Sequence, residues 1–298
     1  MDRERIIQTL LLWNFWEKDI DTGIPRDEYL IRIKKYIDTD EILTLTGIRR
    51  CGKSTILLQV LAELFKNKVA KANTLYVNFE DANFYNFLNV DLLNDIWQVY
   101  KDYLKPKGRV YLVLDEAQKV KGWEHWARSM YDRKENVKIF VTGSNAELLS
   151  PEFAKVLTGR HIELSISPLT FAEFLRFKGV QAKPDKLWLA AKKNDLKNLA
   201  LEYLMIGGFP KIVLTQDELM RKELLAQYFN DILTKDVAER YKIKDTGKLK
   251  NLALFYSANF TRPWTFNKIK KVADFALSLD SIHRFSHYLE NSFLIHFL

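Results

Sequence analysis

The sequence predicts an α/β fold, a buried parallel sheet with helical crossovers, followed by a helical C-terminal region. Three observations carry this. Between residues 42 and 164, short apolar, β-branched runs alternate with segments of helical periodicity. One of those runs passes directly into a glycine-flanked turn that opens a helix. After Pro168 the strand signal stops, and only helical spacing such as LTFAEFLRFKG and LKNLALEYLMIGG remains until about Arg240.

Taken in order, the N-terminal run 6–16 (IIQTLLLWNFW) has the apolar character of a signal-peptide core. It has no small-residue cleavage site, and Glu17, Lys18 and Asp19 follow at once, so an amphipathic packing helix is expected. The expected strands are ILTLTG (42–47), TLYVNFE (74–80), VYLVLDE (110–116), KIFVTGS (138–144) and HIELSI (161–166). Parallel pairing requires crossovers, and the intervening segments are long enough to supply them. Gly207-Gly208-Phe209-Pro210 interrupts the helical region as a turn. Helical segments are expected at 248–259, 266–275 and 279–295.

Composition sets the outer bounds. The chain has 298 residues, 47% hydrophobic and 28% charged, which is ordinary for a globular protein of two or three domains. No run approaches the ~20 apolar residues that cross a bilayer, so no membrane partner is expected. A single cysteine leaves no internal disulfide framework and no zinc cluster, and a cytoplasmic location is the default expectation. Few cysteines with abundant Lys, Arg and Glu also fit a thermophile. The net charge is +8, and residues 242–298 hold nine basic against four acidic residues, a local excess of +5. Such a tail favours a polyanionic partner or, equally, a solvated basic face.

The pattern Gly47-x-x-x-x-Gly52-Lys53-Ser54 follows a predicted strand and opens a predicted helix, the context that makes a Walker A match credible. The glycines let successive N–H groups converge on phosphates, and the helix N-terminus adds partial positive charge. The whole run Gly47, Ile48, Arg49, Arg50, Cys51, Gly52, Lys53, Ser54, Thr55 is the expected cradle for ATP or ADP. Lys53 is expected to reach the β- and γ-phosphates, and Ser54 to ligate Mg²⁺. Four apolar residues then run into Asp115-Glu116. Asp115 is expected to hold a magnesium-bound water, and Glu116 to polarise the attacking water.

Other residues carry two readings each. Ser144 or Asn145, after the fourth strand, is either a sensor of the γ-phosphate or a helix N-cap. Arg160 is either an arginine finger, reaching a γ-phosphate in its own or a neighbouring subunit, or half of an ion pair. Glu80 and Asp81 either tune the site or cap the next helix. Cys51 sits beside Arg49 and Arg50 at a helix start, which would depress its pKa and make it oxidation-sensitive. Among five histidines only His283 and His287 stand at helical spacing, and a helix face explains them better than a metal.

The set GIRRCGKST, VNFED, LVLDEAQ, VTGSNAELLS, LTGR and SPLTFAEFL, with GGFP and YFNDILTKDVAER further on, resembles the archaeal and bacterial ATPases of the AAA+ superfamily that carry a double arginine in the P-loop. The resemblance covers residues 25–295. It implies a sheet in the order 5-1-4-3-2, with 1–39 as a helical lead-in, 40–168 as the ATPase core, 169–240 as a helical lid and 241–298 as a winged helix. It also implies that Pro25 and Arg26 pack near the adenine, and it raises the expectation of oligomers. Lys211 and Arg240 are candidates for the lid's sensor. A winged helix needs a β-hairpin after its third helix, and the chain ends where its first strand should run, so the module reads as truncated and no nuclease activity is expected. The function so implied is a Mg²⁺-dependent ATPase acting as a motor or switch on DNA. The alternative is a regulatory ATPase switch that binds protein partners without DNA. A module that binds nucleotide without hydrolysis is disfavoured by Glu116.

Overall fold

The computed structural model describes residues 1–143, 155–183, 185–272 and 277–297. Five strands form one wholly parallel sheet: β1 (Ile42–Thr46), β2 (Thr74–Asn78), β3 (Val110–Asp115), β4 (Val137–Thr142) and β5 (His161–Ser165). Their order is β2-β3-β4-β1-β5, the expected 5-1-4-3-2 viewed from the other edge. All five residues of β1 are buried, as a central strand covered on both faces requires. Its two threonines remain satisfied: Thr44 Oγ1 donates to the Ile162 carbonyl at 3.1 Å and Thr46 Oγ1 to Glu163 at 2.8 Å.

The chain divides into two compact units, one of residues 1–46 and 52–166, the other of residues 47–51 and 167–298. In the first, α1 (Arg3–Trp13), α4 (Val90–Leu104) and α5 (Trp123–Asp132) cover one face of the sheet. Ile6 and Leu10 of α1, Ile96 and Tyr100 of α4 and Met130 of α5 share a core with Leu112, Leu114 and Val141. Each such side chain contributes about 2 kcal/mol by leaving water. The N-terminal run is therefore a packing helix, capped by Asp2, which accepts from the Arg5 N–H. It ends at Asn14, whose side chain bridges to β2: Nδ2 donates to the Tyr76 carbonyl at 2.9 Å and Oδ1 accepts from the Tyr76 N–H at 2.7 Å. Two further helices, α2 (Asp27–Lys34) and α3 (Lys53–Lys66), pack together, and α3 also contacts β3 and β4.

The second unit is helical among its described residues: α6 (Phe171–Phe177), α7 (Lys186–Ala191), α8 (Lys193–Ile206), α9 (Pro210–Leu214), α10 (Glu218–Asp231), a π-helix (Ile232–Glu239), α11 (Thr246–Ala258), α12 (Phe266–Val272) and α13 (Leu279–Asn291). A capping box of Thr170 and Glu173 starts α6. Glycine is required in the GGFP turn because a Cβ on Gly208 would lie 2.4 Å from the Leu169 carbonyl oxygen. The Leu169 N–H donates to the Gly208 carbonyl at 2.7 Å, and Tyr203 Oη donates to the Leu169 carbonyl at the same distance. A separate core joins Leu233 and Val237 of the π-helix to Leu249, Leu252, Ile282 and Leu289. The three expected tail helices are present, and no wing strand occurs among the described residues after Lys242.

Candidate nucleotide site

The loop between β1 and α3 turns through three left-handed residues, Gly47 (φ 141°), Arg50 (φ 67°) and Gly52 (φ 103°). Glycine meets this need without a Cβ clash at the first and last, whereas Arg50 adopts it against its own preference. Gly52 is the N-cap of α3, so the first helical turn begins at Lys53 and its N–H groups have no acceptor within the helix itself. Lys53 is buried, Ser54 half-buried and Thr55 exposed. Cys51 is fully buried and forms no disulfide. That overturns its expected oxidation sensitivity, which needs an accessible sulfur.

Beside α3, the end of β3 presents Asp115, only 3% exposed. Three hydroxyls converge on its carboxylate. Ser54 Oγ donates to Oδ1 at 3.0 Å, Thr142 Oγ1 donates to the same oxygen, and Tyr76 Oη donates to Oδ2 at 2.5 Å. Burial and the adjoining Asp115 charge hold the Tyr76 phenol well above its ordinary pKa, so it stays a donor. The parallel register β2-β3-β4 creates this cluster by running the C-terminal ends of all three strands to the same side of the sheet.

Glu116 follows in a left-handed conformation (φ 56°), and its N–H donates to Thr142 Oγ1 at 2.9 Å. Thr142 thereby locks Asp115 and Glu116 together. Burial raises the Glu116 pKa, opposed by the Lys53 charge and reinforced by Asp115 and Glu80. Gln118 Nε2 donates to Glu116 Oε2 at 2.5 Å, while the buried Gln118 Oε1 accepts no hydrogen bond. Glu80 pairs with Lys119 at 3.3 Å, and Asp81 caps the following 3₁₀ turn through the Asn83 N–H at 2.8 Å. One carboxylate of that pair thus tunes the site electrostatically and the other caps.

On the far side of α3, Gln59 anchors the segment before α2. Its Nε2 donates to the carbonyls of Thr22 and Ile24, and its Oε1 accepts from the Arg26 N–H at 3.1 Å. Arg26 is buried with its guanidinium 4.6 Å from the Tyr29 ring centroid. Gln59, Tyr76, Thr142 and Gln118 carried no assigned role in the sequence. A positional signal existed only for Thr142, at the end of β4, and Gln118, beside the Asp115-Glu116 motif.

The remaining candidates fall elsewhere. Ser144 and Asn145 lie outside the described residues. Arg160 pairs with Asp132 at 2.9 Å, and its carbonyl accepts from the Ile42 N–H at 2.8 Å. It therefore sits at the start of β1, about 16 Å of strand from Gly47, and the reading of a finger within its own chain is corrected. Arg49 and Arg50 carry their guanidinium groups to carboxylates, Asp236 at 2.9 Å and Asp231 at 3.4 Å. Lys211 is exposed, and Arg240 closes the π-helix with its guanidinium 5.1 Å from the Tyr241 ring. His283 lies against Phe266 at 3.9 Å, and His287 bonds Asn291 at 3.1 Å.

Comparison with known proteins bears on the fold. Residues 39–175 match the family described as an AAA domain, and residues 197–298 match a domain of unknown function, DUF8612. The chain is 34% identical over 277 residues to an uncharacterized protein of Haemophilus influenzae, covering 92% of this chain and 66% of that protein. It is 34% identical over 301 residues to the uncharacterized protein MJ1544 of Methanocaldococcus jannaschii, covering 100% of this chain and 64% of that protein. The chain thus spans about two thirds of these relatives' lengths. Among solved structures it is similar to the Walker-type ATPase Paby2304 of Pyrococcus abyssi, with a TM-score of 0.52 and 14% identity over 91% of this chain and 90% of the other. At that identity the likeness is one of fold.

Proposed function

We propose that this chain, whose residues 39–175 match the family described as an AAA domain, is a P-loop ATPase that binds ATP with Mg²⁺ at residues 47–55 and hydrolyses it to ADP and phosphate. The buried Asp115-Glu116 pair beside Ser54 is the observation that carries this. Magnesium takes hard oxygen ligands, keeps several waters and is commonly held by one or two carboxylates with substrate phosphates. The Ser54 hydroxyl and the Asp115 carboxylate are such a donor set. Among the described residues no cluster of three or more His, Cys, Asp or Glu offers a protein cage instead. When bound, the ion neutralises charge developing on the phosphate oxygens.

The chain's own groups do the rest. Lys53 and the N–H groups of the loop hold the phosphates, and Thr142, Tyr76 and Ser54 fix Asp115. Glu116 accepts a proton from the attacking water, and its raised pKa brings it nearer to the working pH, where a general base is most effective. Gln118 orients that carboxylate. The same proposal includes Ser144 or Asn145 as a sensor, Pro25 and Arg26 beside the adenine, and Arg160 as a finger acting on a neighbouring copy. It keeps residues 169–240 as a lid and 241–298 as a winged-helix-like module.

Phosphate release and binding of a fluorescent ATP analogue test this. Lys53→Ala should abolish binding, and Glu116→Gln should bind ATP yet lose on the order of 100-fold or more in turnover. Normal hydrolysis by Glu116→Gln would overturn the assignment.

We further propose DNA as the partner. Arg262, Lys268, Lys270, Lys271 and Arg284 are exposed, and none pairs with a carboxylate among the described residues, which supports a phosphate-facing surface. Binding to duplex, forked or single-stranded DNA should weaken steeply with salt. No binding at low ionic strength, together with hydrolysis that DNA does not stimulate, would favour a switch for protein partners.

A further inference from the structure

The two arginines of the P-loop are engaged by residues far along the chain. Arg49 meets Asp236 as a fork: Nη2 donates to Oδ1 at 2.9 Å, and Nε lies 3.1 Å from Oδ2 and 3.3 Å from Oδ1. Asp236 is 3% exposed, so this is a desolvated, charge-assisted pair. Arg50 reaches Asp231 at 3.4 Å and lies 4.5 Å over the Tyr228 ring. It does so from the left-handed φ of 67°, a conformation that persists in a non-glycine residue only where its surroundings over-determine it.

The π-helix explains how two carboxylates serve two consecutive arginines. Asp231 and Asp236 are five residues apart, which in an α-helix would place them roughly 140° apart around the axis. A π-helix hydrogen-bonds at i to i+5 and is wound more widely, which brings residues five apart closer to one face than an α-helix does. The eight-residue π segment begins immediately after Asp231 and contains Asp236. Local π geometry of this kind commonly marks a functional position. Both carboxylates lie within the DUF8612 region, residues 197–298.

We propose that Asp236, assisted by Asp231, is a positioning residue for the P-loop. The two carboxylates hold the arginine side chains so that residues 47–52 keep the left-handed turns that aim their N–H groups at phosphate. The inference rests on the reading of residues 47–55 as the phosphate cradle. It gives the DUF8612 region a definite task, shaping nucleotide affinity through Arg49 and Arg50. It also assigns those arginines to holding the loop's shape, with the phosphate contacts left to Lys53 and the backbone.

The test is nucleotide affinity measured separately from turnover at saturating ATP. Asp236→Asn should raise the dissociation constant for a fluorescent ATP analogue about tenfold or more, with a much smaller change in kcat. Asp231→Asn, at the more exposed pair, should raise it by a smaller factor. If Asp236→Asn does not fold, the double variant Arg49→Met, Asp236→Leu carries the test. Replacing a buried ion pair by apolar residues usually preserves stability, so a melting point near wild type with weakened binding supports positioning. Unchanged affinity in the folded variants would overturn the proposal. So would tighter binding in Asp236→Asn, because freeing Arg49 would then supply a phosphate ligand. Failure of the underlying reading looks different: wild type itself would bind no nucleotide, or Lys53→Ala would bind as well as wild type.

Discussion

Replacing Tyr76 by phenylalanine removes one hydroxyl from the floor of the site and leaves the ring in place. That oxygen donates to Asp115 Oδ2 at 2.5 Å, and both residues are almost wholly buried, at 2% and 3% exposure. Ser54 and Thr142 both donate to the other carboxylate oxygen, so neither already faces Oδ2. A hydrogen bond to a charged group contributes about 1.5–3 kcal/mol, and a carboxylate short of one donor cannot recover the loss from water at this depth. The expected destabilisation is about 2 kcal/mol, close to a thirtyfold shift in the folding equilibrium. Urea unfolding at pH 7 measures it directly. Hydrolysis as a function of Mg²⁺ concentration should show a higher half-saturation point, because a looser Asp115 holds the ion's water less well. Stability within about 0.5 kcal/mol of wild type, with an unchanged Mg²⁺ response, would refute the assignment of Tyr76 as a support for Asp115.

Two further changes probe other parts of the structure. Gln118→Leu removes the bond that lowers the Glu116 pKa and strands no partner of Oε1, so that pKa should rise further above its already raised position. Glu116 works only when deprotonated, so activity is lost as pH falls through its pKa, and the acid limb of the rate profile should move to higher pH. A pH–rate profile that coincides with wild type would count against Gln118. Gly208→Ala brings a Cβ to 2.4 Å from the Leu169 oxygen and 2.9 Å from its nitrogen, both backbone atoms with little room to yield. A loss of roughly 3 kcal/mol is expected, read from thermal melting, and a neutral substitution would mean that the Leu169–Gly208 approach is not fixed.

Strands and the phosphate loop were legible because their signals are local. ILTLTG and VYLVLD show apolar, β-branched runs within a few residues, and the glycines at 47 and 52 stand where left-handed backbone is needed. The second coordination layer was not legible. Tyr76 looks like any aromatic residue in a buried strand until the β2–β3 register sets Asn78 against Asp115 and directs its hydroxyl to that carboxylate. Gln59 looks like a polar helix residue, yet three hydrogen bonds from its amide hold the segment that includes Arg26. Arg49 and Arg50 read as members of the phosphate cradle from the P-loop pattern. Their partners lie more than 180 positions away and depend on a π-helix that ordinary helical periodicity does not announce.

The bridge from Asn14 to Tyr76 has a consequence for how copies of this protein behave when concentrated. β2 is the outermost strand on its side of the sheet, and a bare parallel edge invites another strand to add. The Asn14 amide stands where the peptide group of an incoming strand would dock, filling both the N–H and the carbonyl of Tyr76. The Trp16 indole occupies the Thr74 carbonyl at 2.8 Å, and the Asp81 N–H occupies that of Asn78 at 3.2 Å. The segment that leaves the N-terminal helix thus acts as a chaperone carried within the chain, closing the row of peptide groups along which a foreign strand could join at the β2 edge.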